Sequence, residues 1–264
     1  MTPTLILLSN FAYGWEIKTN NSGQGLHWDA TNIHYSINTD GNHGLSSSAV
    51  ESAIVEAANA WNQGSTQMVY DGGTKKTGAD YSDGVHSVVF KDSWTEDPSV
   101  LAITYTWSTA GGEIVHFDME INSDDHDWST DGAVDKQDLT NAIAHEFGHA
   151  IGLDHSDDTE ATMAADAIVG ETNKRDINSD DLAGYQYIYE NNSNHQNGGN
   201  SSNSSNGNAG TGGGTSGLQN HNGQTGNGMV PLDNAGCAST GSRGQSGLWW
   251  VLLTMGFITS RSKK

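Results

Sequence analysis

Hydrophobic positions along this chain repeat with two different periods, and each period predicts an element. From Ile33 to Asn38 apolar and polar residues alternate, as in a half-buried strand. Ser46–Trp61 places Val50, Ile54, Ala57, Ala58 and Trp61 at helical spacing, with Ser46–Ser48 as N-cap candidates. Ser87–Lys91 reads as a short apolar strand. Val100–Trp107 reads as a longer one, rich in β-branched and aromatic residues. Gly111-Gly112 marks a turn. Glu113–Asn122 then alternates again, with Ile114, His116, Asp118 and Glu120 on one face and Val115, Phe117, Met119 and Ile121 on the other. Asp138–Gly152 and Asp180–Tyr189 complete the pattern as helices. Strands and helices alternate early, and hairpin-like strands then lead into helices. This predicts an α+β fold with a mixed, twisted sheet, and no internal repeat.

Composition limits how much of the chain can join that fold. Asn191–Asn227 is almost entirely Asn, Ser, Gly, Gln and Thr. Such a stretch lacks the apolar surface needed to offset its ordering entropy and reads as a flexible linker. The chain therefore divides into a short leader (1–14), one globular domain (15–190), a linker (191–235) and a tail (236–264). The domain is large enough for a real core.

The net charge of −21 is concentrated before the linker. Asp233 is the only acid after Glu190, whereas Arg243, Arg261, Lys263 and Lys264 all lie in that part. An acidic domain repels the phosphate backbone, so no nucleic-acid partner is expected. The single cysteine, Cys237, excludes an intrachain disulfide and a Cys-rich zinc finger.

Both ends carry apolar runs. Leu5–Leu8 followed by Ala12-Tyr13-Gly14 reads as a signal peptide cut before Trp15, the alternative being an N-terminal strand. Leu248–Ile258 is apolar and is followed by Arg261, Lys263 and Lys264. As a helix it spans about 16–18 Å, short of the ~30 Å hydrocarbon core. Small residues, a short apolar helix and a basic end resemble bacterial C-terminal sorting tails, and Gly236-Cys237-Ala238-Ser239 resembles their Cys-containing variety. Cys237 is then a processing or lipidation site, and the alternative is an uncleaved anchor with an incidental cysteine. The expected product is secreted or attached to the bacterial surface, meets a membrane only through its tail, and is a monomer.

The residues that carry chemistry are His145-Glu146-Phe147-Gly148-His149-Ala150-Ile151-Gly152-Leu153-Asp154-His155. His145 and His149 lie one helical turn apart on one face, so two imidazoles can grip one metal ion. Gly152 falls where the helix must stop, and glycine tolerates the positive φ such a turn needs. The turn lets His155 return as a third ligand. Three protein ligands leave a fourth position for water, the catalytic arrangement for zinc. Glu146 adjoins the first ligand and can reach that water as general base. Three solvent-facing histidines on an acidic helix would be the plain alternative, but the Glu and Gly at fixed offsets favour a Zn2+ site.

These eleven residues are similar to the metzincin signature. Met163, in Ala161-Thr162-Met163-Ala164, resembles the methionine turn beneath the metal in that clan. Ser156 directly follows the third His, as in matrixins, and Ala165 stands where astacins and serralysins carry a ligating Tyr. Lys174-Arg175 and Ser179–Tyr189 resemble the matrixin closing helix. The resemblance covers Trp15 to Glu190. It implies a zinc endopeptidase acting on proteins or peptides, the extracellular matrix among them, with a cleft across the domain. Val100, Leu101, Ala102, Ile103 and Thr104 would belong to an edge strand that pairs with extended substrate. The chain departs from animal matrixins in leaving no room for a prodomain, in lacking a cysteine-switch motif, and in lacking a recognisable His/Asp set for a second zinc around Asp83–His86 and His116. Asp124, Asp125, Asp127 and Asp131 could take Ca2+, although their spacing is not that of an EF-hand and a solvated acidic loop fits as well. A catalytically dead binding module and a hydrolase of non-peptide bonds remain as other classes. The retained Glu146 argues against the first and the edge strand against the second.

Overall fold

A computed structural model describes residues 14–72 and 80–190, together with the backbone of 232–235 and 238–239. The apolar leader, the Asn/Ser/Gly-rich stretch, Cys237 and the C-terminal apolar run lie outside the described residues.

The core of the domain is a twisted mixed sheet with helices packed against it. Strand β1 (Asn32–Asn38) leads into helix α1 (Ser47–Ala60), and β2 (Gln67–Tyr70) and β3 (Ser87–Lys91) follow. Then come β4 (Ala102–Ser108), β5 (Ile114–Asn122), and the short pair β6 (Trp128–Ser129) and β7 (Gln137–Asp138). Helix α2 (Leu139–Ala150), β8 (Asp166–Ala167) and helix α3 (Ser179–Tyr189) complete the domain. Two C-terminal strands, β9 (Leu232–Ala235) and β10 (Ala238–Ser239), return to it. The main sheet runs β2-β1-β3-β5-β4-β9. Its β2, β1, β3 and β5 are parallel, and β4 is antiparallel to β5.

Each helix starts where its sequence offers a cap. The Ser46 side chain accepts from Ala49 N at α1, and Asp138 accepts from Asn141 N at α2. Asn178 and Asp181 form a reciprocal capping box at α3. Every residue of α2 is buried, so its apolar and polar faces both meet protein. Its C-terminal carbonyls have no partners within the helix. The Trp28 indole donates to Ala150 O (2.8 Å) and the Tyr189 hydroxyl to Ile151 O (2.7 Å).

Three findings go beyond these expectations. The fourth strand begins at Ala102, so Val100 and Leu101 precede it, Leu101 being packed into the core. Strand β5 alternates as its sequence does, and both of its faces are buried except at Val115. The reason is that its polar side chains bond one another and their neighbours. His116 Nε2 meets Asp118 Oδ2 at 3.1 Å, Asp118 accepts from Ser87 N, and Glu120 accepts from Lys91 Nζ at 3.0 Å. Third, Leu232–Ala235, assigned to the linker on composition, forms β9 against β4.

Candidate functional site

Helix α2 carries His145, Glu146 and His149 inward. All three side chains are fully buried. The helix ends at Ala150, and Gly152 turns the chain with φ +101°; a Cβ there would lie 2.4 Å from Leu26 O. This turn returns His155 to the other two imidazoles. Ring centroids are 4.8 Å apart for His145 and His149, 5.2 Å for His145 and His155, and 4.9 Å for His149 and His155.

The hydrogen bonds define which nitrogens face the centre. His145 Nδ1 meets Thr162 O at 2.8 Å, and His149 Nδ1 meets Leu153 O at 2.9 Å. A carbonyl only accepts, so each Nδ1 donates, and in the neutral ring each Nε2 then carries a lone pair. The two Nε2 atoms nevertheless face each other at 3.1 Å. Two lone pairs at that separation suit a shared cation. His155 Nε2 is buried and has no hydrogen-bond partner among the described residues. One nitrogen from each of the three histidines lies within 4.8 Å of the others, the one group of potential metal ligands found among the described residues. Burial, then Lys174 and His155, holds the His145 imidazole well below the ordinary histidine range. Burial, then His145, acts the same way on His149, and burial also lowers His155. Neutral imidazole is the ligating form. The residues present therefore fit a single zinc ion.

Glu146 is tied to the sheet. Thr104 Oγ1 donates to Glu146 Oε2 at 2.7 Å and lies 3.1 Å from Glu146 O. Ala102, Ile103 and Thr104 thus lie in β4 beside the site, whereas Val100 and Leu101 do not belong to the strand.

Met163 packs against α2 at Gly148. A Cβ on Gly148 would fall 2.1 Å from Met163 Sδ and 2.8 Å from Trp61 Cζ2, so the helix approaches Met163 only because residue 148 is glycine. The turn is fastened from α3: Asp181 accepts from Thr162 N (2.6 Å) and Met163 N (2.9 Å). Asp180 accepts from Ser156 Oγ at 2.7 Å, and Ser156 N donates to Met163 O at 2.9 Å, which holds the residue after His155. Lys174 is buried and donates from Nζ to Ala164 O (2.5 Å) and Asp166 O (2.7 Å), anchoring the segment that leads into β8.

Sequence reasoning had not found the roles of Thr104, Lys174, Asp180 and Asp181 around the site. The capping-box pattern at Asn178–Asp181 was the one available signal for Asp181.

Away from this centre, His86 Nδ1 meets His116 Nδ1 at 3.0 Å, and Asp118 Oδ2 accepts from Asp80 N. In the acidic loop, Asp124 accepts from Trp94 N and Asp125 from the Asn122 amide. Those carboxylates serve the loop's own hydrogen bonds.

A helix bearing two histidines, a glycine turn returning a third, and a methionine turn below, all under a mixed sheet, make this a metzincin fold. The chain belongs to the matrixin family, whose model matches residues 27–190. It is 29% identical over 174 residues to human neutrophil collagenase, covering 63% of this chain and 34% of that protein. It is 30% identical over 148 residues to karilysin of Tannerella forsythia, 53% of this chain and 29% of that protein. A shorter match, 40% over 79 residues, links it to human matrix metalloproteinase-27, 30% of this chain and 14% of that protein. The chain thus spans about a third or less of the length of these curated relatives.

Proposed function

We propose that the chain is an exported zinc-dependent endopeptidase whose catalytic unit is 15–190 and whose substrates are extended proteins or peptides. The observation that carries this is the buried Glu146 carboxylate, aimed by Thr104 and adjoining a metal-competent His145–His149–His155 cluster. A structural metal site needs no such carboxylate, whereas hydrolysis needs a base. Zinc, when bound, supplies a Lewis acid that acidifies water and polarises a carbonyl. His145, His149 and His155 would hold it, with the Nδ1 bonds to Thr162 O and Leu153 O setting the ring orientations. Glu146 accepts the proton of the attacking water and hands it to the leaving nitrogen. Strand β4 aligns the extended chain of the substrate by backbone pairing, and the protein acts as a monomer. Calcium in the Asp124–Asp131 loop is a separate, weaker reading that rests on the carboxylates alone.

Cleavage of a quenched fluorescent peptide library, with and without a chelator, tests the assignment. Activity that survives complete zinc removal would sink it. Export and removal of the tail beyond Gly247 are read from intact mass of the natively produced protein. A mass that includes Arg261–Lys264 rejects the sorting-type tail and leaves the peptidase reading standing.

A further inference from the structure

The strand expected to receive substrate already has a partner in this chain. Strand β9 runs antiparallel along the outer edge of β4, with Thr104 opposite Ala235 and Thr106 opposite Leu232. Strand β10 runs parallel to β8, with Ala238 opposite Asp166 and Ser239 opposite Ala167. Only Gly236 and Cys237 separate the two strands in sequence. One short stretch of chain is therefore held at one end by β4 and at the other by β8.

Both holders adjoin the candidate centre. Strand β4 supplies Thr104, whose hydroxyl binds Glu146. Strand β8 begins three residues after Met163, and Lys174 binds Ala164 O and Asp166 O on the way into it. His145 is bonded to Thr162 O in the same segment. A peptide that pairs with β4 and then with β8 is therefore held by the strand bonded to Glu146 and by the strand that follows the segment bonded to His145. Its direction is fixed by the two registers: the N-terminal half lies antiparallel to β4 and the C-terminal half parallel to β8.

We propose that β9 and β10 are intramolecular occupants of the substrate cleft and compete with substrate for β4 and β8. The proposal rests on the cleft being the peptide-binding site of the function given above. An edge strand offers one row of N–H and C=O groups, so two extended chains cannot use it together. Residues 190–231 join α3 to β9. A tether presents its end at an effective concentration on the order of 1 mM. For a segment of ordinary peptide affinity, on the order of 10–100 μM, this raises the apparent KM roughly 10- to 100-fold.

The test compares the full chain with two variants of it: one in which Leu232–Ser239 is replaced by an equally long Gly/Ser run, and Ala235→Pro. Among the described residues, the hydrophobic core cluster ends at Tyr189. Hydrogen exchange is read at the amides of Ala102–Ser108 and Asp166–Ala167 in zinc-loaded protein. Exchange is expected to be slower in the native chain than in the Gly/Ser chain, with Ala235→Pro in between. Equal protection in all three overturns the docking, whether or not the protein cleaves peptides. Peptide hydrolysis is read alongside. The Gly/Ser chain is expected to show a KM at least about 10-fold lower at unchanged kcat. A synthetic peptide spanning residues 230–241, added to it, should raise KM again. Unchanged KM despite slower exchange in the native chain overturns the competition. If no chain cleaves any peptide, the peptidase reading fails, and the exchange result still decides whether the segment docks.

Discussion

The Thr104 hydroxyl donates a 2.7 Å hydrogen bond to Glu146 Oε2, joining the outermost strand of the domain's own sheet to the middle of the helix that carries two of the three histidines. A fully buried carboxylate is confined to one rotamer only if something holds its second oxygen, and Thr104 does so. Thr104→Val keeps the side chain's shape and removes the donor. It should lower kcat about 10-fold with zinc content unchanged, and Thr104→Ser should restore most of the loss. Equal kcat for the Val and Ser variants would show that the hydroxyl merely fills space.

Glu146→Gln tests the base itself. The amide preserves size and removes the proton acceptor, so the rate should fall at least ~10²-fold while metal analysis still finds bound zinc. Near-normal turnover by this variant would falsify the proposed mechanism.

His149→Ala should lose metal. Its Nδ1 is committed to Leu153 O and its Nε2 faces His145 Nε2 at 3.1 Å, so the alanine removes one of three ligating nitrogens. Because zinc binds the folded state, the parent should also be more stable with zinc than without, by about 2.7 kcal/mol at free zinc a hundredfold above Kd, and should melt higher. One zinc per chain in the variant contradicts the ligand set.

The signature around the centre was legible because its chemistry is local. His145, Glu146 and His149 share one helix, and Gly152 and His155 follow within a few residues, so spacing alone brought them together. The longer strands and helices were legible for a related reason: their apolar period is set by the core they face. What sequence could not show depends on long-range pairing. Thr104 reaches Glu146 across 42 residues, and Asp181 reaches Met163 across 18. Strand β9 has no apolar alternation to announce it, since its partners are backbone groups on β4. The polar face of β5 is buried because His86, Lys91 and Ser87 meet it from β3 and the loop before it.

Gly148 lies between the two helical histidines for a packing reason. With Met163 Sδ 2.1 Å and Trp61 Cζ2 2.8 Å from the position of a Cβ, Gly148→Ala should destabilise the domain by about 1–3 kcal/mol despite alanine's better helix propensity. Shortening the clashing side chain with Met163→Ala should recover part of that cost, giving a favourable coupling in a double-mutant cycle measured by urea unfolding. Strict additivity of the two changes rules out the contact as the cause.

Acid sensitivity of the fold should trace in part to His86. Burial pushes its imidazole down to about 4, with His116 and His34 adding to the effect and Asp83 and Asp71 opposing it. The ring is stacked on Phe117 at 5.1 Å and lies edge-on to Trp28 at 5.4 Å, so a charged form loses solvation there. In the unfolded chain the same group titrates near 6.5. Above that pH neither state binds the proton. Between about 6.5 and 4 the unfolded state binds it and the folded state does not, so the number of protons bound is larger in the unfolded state and stability falls as the pH falls. Below about 4 both states bind it and the loss levels off. At ~1.4 kcal/mol per unit, this one group contributes on the order of 3 kcal/mol of stability at neutral pH that is gone by pH 4. His86→Gln should lower stability at pH 7 by removing the ring contacts, and should also flatten the slope of unfolding free energy against pH between 6.5 and 4 by up to one proton. Urea unfolding of both proteins at half-unit pH steps measures that slope, and parallel curves for the two would assign the acid sensitivity to other groups.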